Sequence, residues 1–155
     1  MEAVMLLFAL LIGIVAGLRT FTAPSAAAFG ARYHGLSVAG TKLAFMGYAY
    51  TPWIFGALAL AELVTDQLPA TPSRKTPPQF GARIVSGAIS GATFGAAGGL
   101  LLPGLVAGSV GAVIGTFGGA AARGKLAQMF GNDHPAAFIE DAVAILGAVL
   151  IVVAA

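Results

Sequence analysis

The sequence predicts an all-α fold, a polytopic transmembrane helical bundle of about five spans in a single domain over residues 1–155. Three observations predict it. Hydrophobic residues make up 58% of the chain and charged residues 9%, where soluble domains carry about a quarter charged. Mean hydropathy is +0.91. Apolar runs long enough for helices are separated by short stretches rich in proline, glycine and basic residues.

The first run, Ala3 to Leu18, is slightly short for a crossing, which takes about 20 apolar residues. It lacks the positive flank of a signal peptide, with Glu2 as its only early charge, so it is expected to persist as a span. Continued to Ala31 it is too long for one upright helix and holds Arg19 near its middle. A break near 17–24 resolves this, through Gly17, Thr20, Thr22 and Pro24. Non-helical backbone at membrane depth survives only inside protein or beside a water-filled cavity. Arg19 would then face inward. The alternative ends the span at Leu18, with Arg19 an anchor and Ala23 to Ala31 an interfacial helix.

Arg32 to Lys42 reads as a loop, and Tyr33-His34 suits the headgroup zone. The second span covers 43–68, with Tyr48, Tyr50 and Trp53 as an aromatic belt; a later start at Thr51-Pro52 is the alternative. Glu62 and Asp66, one turn apart near its end, form one acidic edge. Pro69, Pro72, Pro77 and Pro78 then predict an extended loop with Arg74-Lys75 in water or at headgroups.

Residues 83–101 and 104–123 form the third and fourth spans, divided at Leu102-Pro103-Gly104. Gly87, Gly91 and Gly95, then Gly111, Gly115 and Gly119, recur every four residues, the small-xxx-small spacing that lets backbones approach in lipid. They predict a tight hairpin or a homo-oligomer contact. Arg83, Ser86, Ser90 and Thr93 make a polar stripe beside them, lining a path or merely bonding back to their own helix. Arg123 and Lys125 end the fourth span; Asn132 or Asp133 caps the fifth, 135–155, which carries Glu140 and Asp141 about 10 Å inside. Being adjacent, these two acids are expected to point apart and not to share a partner.

The loops 68–82 and 124–134 share a side with the N-terminus in a five-span arrangement and hold Arg74, Lys75 and Lys125, joined by Arg83 and Arg123 at helix ends, against Arg32 and Lys42 on the other side. The positive-inside rule then places the N-terminus in the cytoplasm, and the setting reads as a bacterial inner membrane. A possible inverted repeat pairs Arg19 and the Glu62/Asp66 helix with Arg123 and the Glu140/Asp141 helix.

Gly17-Leu18-Arg19, then Glu62-x-x-x-Asp66-x-x-Pro69 with its proline-rich sequel, then Arg83 before a Ser/Gly/Ala helix, resemble the bacterial integral membrane family catalogued as domain of unknown function 4126. The resemblance covers nearly the whole chain, and Glu140-Asp141 fits it. In place of an earlier proline this chain has Thr-Phe-Thr-Ala-Pro after Arg19, which suggests a divergent branch. It implies a membrane protein and no substrate.

No nucleotide loop, serine elbow or paired zinc ligands appear, there are no cysteines, and the net charge is only +2. An enzyme, a cofactor, a metal and a nucleic-acid partner are therefore not expected. Ionisable groups at membrane depth are costly and are functional candidates by default. Arg19, Glu62, Asp66, Arg83, Ser86, Ser90, Arg123, Glu140 and Asp141 are thus the expected site of a transporter or channel for an ion or small polar solute. Glu62 or Glu140 would exchange a proton, and Arg83 and Arg123 would hold Asp66 and Asp141 ionised. The competing expectations are an assembly subunit with structural ion pairs, and a protein that acts on lipid through its basic loop.

Overall fold

The apolar runs fold as helices: α1 (Glu2–Leu18), α2 (Thr22–Tyr33), α3 (Thr51–Thr65), α4 (Pro77–Ala97), α5 (Leu101–Phe130) and α6 (Asp133–Ala154). A 3-10 turn at Ala44–Gly47 precedes α3, and there is no strand among the described residues. The computed structural model describes residues 1–68 and 73–155. Pro69 and Pro72 of the expected proline-rich loop lie outside the described residues.

Prolines start helices here. Pro24 falls in the first turn of α2, Pro52 in that of α3, Pro77 and Pro78 in that of α4, and Pro103 in that of α5, positions where the missing N–H costs nothing. Two expected boundaries move as a result. The helix of the expected second span, α3, starts at Thr51, the alternative start, not at Leu43, and Leu102-Pro103-Gly104 opens α5 while the turn lies at 98–100, with Gly99 at φ +76°. Further along, α5 does not stop at Arg123: it continues to Phe130 and ends on Gly131 in the left-handed conformation.

The break in the first run comes from Arg19 itself, whose backbone is extended (φ −141°, ψ 122°). It reverses the chain. Gly30 of α2 lies beside Val152 near the end of α6, and α3 then returns so that Gly56 meets Ser25 and Glu62 meets Thr20 and Phe21. Met5 of α1 lies against Gly98, while Arg83 at the other end of α4 reaches Gly17. Successive helices therefore alternate in direction, and both termini lie at the end opposite Arg19, Asp66 and Glu140. This corrects the expected sidedness, which grouped the N-terminus with loops 68–82 and 124–134 because it counted α1 and α2 as one crossing. The inverted repeat fails too: α1 and α5, its supposed counterparts, run parallel, with Gly111 on Leu10, Gly115 on Ile14 and Gly119 on Leu18. Small-residue runs match by composition alone.

Helices α1, α4 and α5 form the tightest packing. Gly87, Gly91 and Gly95 of α4 meet Gly104 and Gly108 of α5, while Gly111 and Gly115 meet α1 at Gly13 and Gly17. A Cβ built on Gly91 would lie 2.6 Å from the Gly108 Cα, so backbones touch where side chains would normally stand. All six glycines expected to face a second copy are buried within the chain, so an oligomer would have to use other surface.

Side-chain size is distributed inside out. Ala9, Ala16, Ala23, Ala27, Ala112, Ala144 and Ala148 fill the interior, while Leu60, Val106, Phe117, Leu146 and Leu150 are exposed. Among the described residues, two helices, α5 and α6, are long and apolar enough to cross a membrane; α1 and α3 are apolar but shorter.

The packing yields a prediction. A methyl at Gly108 overlaps the Gly87 carbonyl, whereas one at Gly118 meets nothing. Gly108→Ala should cost about 1–3 kcal/mol, read as unfolding in detergent, while Gly118→Ala should be neutral or slightly stabilising.

Candidate functional site

The reversal at Arg19–Phe21 strips backbone groups of their helical partners, and side chains replace those partners. Arg83 Nη1 donates to the Gly17 carbonyl (2.9 Å), Arg19 Nη1 donates to the Leu18 carbonyl (3.1 Å), and the Ser86 hydroxyl donates to the Thr20 carbonyl. The freed N–H groups of Thr20 and Phe21 donate to Glu62, one to each carboxylate oxygen, at 2.7 and 2.8 Å. Phe21 is the N-cap residue of α2. A carboxylate at a helix N-terminus is favoured by both the free donors and the dipole. Glu62 thus serves as the α2 cap, supplied from α3.

Arg19 is completely buried. Its Nε donates to Asp141 Oδ1 at 2.6 Å, and its Nη2 pairs with the same carboxylate. Its Nη1 lies 3.1 Å from Asp66 Oδ2 and 3.6 Å from Glu140 Oε2. One guanidinium therefore joins the break to α3 and α6. Glu140, also buried, takes a two-pronged pair from Arg74, with Nη2–Oε2 at 2.9 Å, and is 3.4 Å from Arg123 Nη1. Arg123 holds Asp133 by two donors, at 3.0 and 2.7 Å. Asp141 Oδ2 accepts from Gln67 at 3.3 Å, and the Gln67 carbonyl oxygen lies 3.4 Å from His134 Nδ1.

Most of the expected site assembles here, with changed pairings. Asp66 and Asp141 are held by Arg19, not by Arg83 and Arg123, because the reversal carries Arg19 between α3 and α6. Glu140 and Asp141 share Arg19 despite their divergent directions, since its guanidinium spans both. Ser86 closes the break, whereas Ser90 is deeper, fully buried and without a hydrogen bond among the described residues. Thr93 bonds back to Ile89 at 2.9 Å. Arg74 was expected in water or at headgroups and is buried on Glu140, because the turn before α4 folds it inward. Its signal was faint: a lone arginine beside Lys75. Gln67, Asp133 and His134 also join, and the cap of α6 is Asn132.

A cavity of about 630 Å³ opens over the cluster, lined by Asp66, Gln67, Arg74, Arg83, Arg123, Asp133 and His134 among others. Arg19 and Glu140 sit behind that lining. A smaller apolar groove of about 250 Å³ lies between α2, α3 and α6. No three His, Asp or Glu side chains among the described residues are placed to hold a metal ion. Chemically the site is a set of ion pairs beside an open cavity, with Arg83 in the lining and outside those pairs among the described residues. No protein-family model matches the chain, and neither does any curated protein or solved structure.

Removing one partner of a buried ion pair typically costs about 3–5 kcal/mol. Arg74→Gln should therefore destabilise the protein by about 3 kcal/mol in detergent unfolding. Lys75→Gln, which loses only an exposed contact over the Phe117 ring, should cost about 1 kcal/mol or less.

Proposed function

We propose that this chain is a multi-pass membrane protein that moves an ion or small polar solute along its carboxylate–arginine cluster. The observation that supports this best is the inverted distribution of polarity. Arg19 is fully buried among acids from α3 and α6, while large apolar side chains face outward along α5 and α6. A soluble protein arranges these the other way. Membrane proteins place ionisable groups toward the bundle interior or a water-filled cavity.

On this reading α1 and α2 form a re-entrant pair, and α3 to α6 complete the bundle around them. Arg74, Lys75, Arg123 and Lys125 lie at the cavity end, and Arg32 and Lys42 belong to the other end. The positive-inside rule then turns the cavity to the cytoplasm and both termini outward. Resemblance to the family described as domain of unknown function 4126 agrees with a membrane setting.

Glu62 is committed to the α2 cap, so the solute-facing acid is Asp66, which lines the cavity and pairs with Arg19 behind it. Exchange of Arg19 between Asp66 and Asp141 would open the path. A second reading, an assembly subunit with structural ion pairs, draws on the complete engagement of Glu62 and Glu140.

The absence of native cysteine makes labelling clean. Single cysteines replacing Glu2 and Ala155 should react from one side of sealed vesicles and one replacing Lys125 from the other. In proteoliposomes under proton and chloride gradients, Asp66→Asn should slow flux roughly ten-fold, the weight of about 1.4 kcal/mol, with the fold retained. Absence of flux in the unmodified protein, with Asp66→Asn only less stable, would support the assembly reading instead.

A further inference from the structure

We infer that the cavity holds a small oxyanion on Arg83. The inference rests on the transport reading and deepens it by naming the class of solute. Five acids lie at this end of the bundle, and each is engaged elsewhere. Glu62 caps α2, Asp66 and Asp141 pair with Arg19, Asp133 pairs with Arg123, and Glu140 pairs with Arg74. Arg83 has no carboxylate within salt-bridge reach among the described residues, and residues 69–72 include no acidic side chain.

Arg83 is also 97% buried, its relative exposure being 3%. Its one hydrogen bond among the described residues runs from Nη1 to the Gly17 carbonyl, and its Nε has no partner. A permanently charged guanidinium so desolvated is costly unless an anion or water meets it. Arg83 shares the cavity wall with Arg74 and Arg123, so a ligand would meet its guanidinium at that wall, while Nε itself lies beneath the surface. A planar fork matches two oxygens of a carboxylate or phosphate better than it matches a halide. Asp66 and Asp133 also face the cavity, but their charge is already met by Arg19 and Arg123. Arg83 is therefore the group in this lining that would take a small anion, Arg74 and Arg123 being paired as the acids are.

The test is thermal unfolding of the full chain in nonionic detergent, titrated with sodium phosphate, acetate or chloride at constant ionic strength. Phosphate or acetate should stabilise the protein more than chloride. Arg83→Gln, which keeps an N–H for the Gly17 carbonyl, should weaken the oxyanion effect roughly ten- to a hundred-fold. Arg83→Lys, which keeps charge without the fork, should bind but lose the preference over chloride. Lys125→Gln, exposed and outside the lining, should behave as the parent does. Mixed micelles with phosphatidylglycerol separate the sources: competition with phosphate identifies a lipid headgroup as the oxyanion, and its absence a free solute. Equal stabilisation by all three salts, or an unchanged response in Arg83→Gln, would overturn the inference. Binding that depends on Arg83 without any flux in vesicles would keep this site and end the transport reading. Flux without such binding would do the reverse.

Discussion

A buried arginine at a chain reversal constrains everything else in this protein. Extended backbone at Arg19 turns α1 back as α2 and leaves backbone donors and acceptors without helical partners. An apolar interior gives them none, so they must be met by side chains from other helices. Glu62 from α3, Ser86 and Arg83 from α4 supply them. Arg19 brings a charge that must itself be compensated, and Asp66, Glu140 and Asp141 do so from α3 and α6. The reversal and the charge cluster are one structure: each group that closes the break also fixes a helix around Arg19.

The glycine seams make that convergence sterically possible. Arg83 reaches Gly17 because α4 and α1 both lie close against α5, through Gly87, Gly91, Gly13 and Gly17. At the level of the cluster, a Cβ on Gly119 would stand 3.0 Å from Arg74 Nη1 and 3.3 Å from Glu140 Oε1. The last glycine of the stripe thus makes room for an ion pair. Packing and electrostatics meet at that residue, which explains why the stripe extends to the polar end of α5.

How much of this was legible in the sequence depended on whether the signal was local. The apolar runs, the α4–α5 glycine spacing, a break around Arg19 and part of the charge cluster were readable, because each rests on residue types at fixed spacing. Direction was not. Whether an extended residue lets a chain continue or turn back depends on which side chains wait to receive its backbone groups, and Glu62 is far from Thr20 in sequence. The same blindness misassigned partners: Arg19, moved by the reversal, took the acids expected for Arg83 and Arg123. Arg74 was missed because a basic dipeptide in a proline-rich loop looks like solvated charge. Gly13 and Gly17 were overlooked as a packing pair, since a single repeat of small residues in an apolar run carries little information.

The central claim is that Arg19 directly couples α6 to the reversal. A double-mutant cycle between Arg19→Gln and Asp141→Asn, read as unfolding free energy in detergent, tests it most directly. The account predicts a coupling of about 1.5 kcal/mol or more, the scale of close charged pairs. Losses that simply add, within about 0.5 kcal/mol, would mean the two groups do not meet, and the cluster would have no centre.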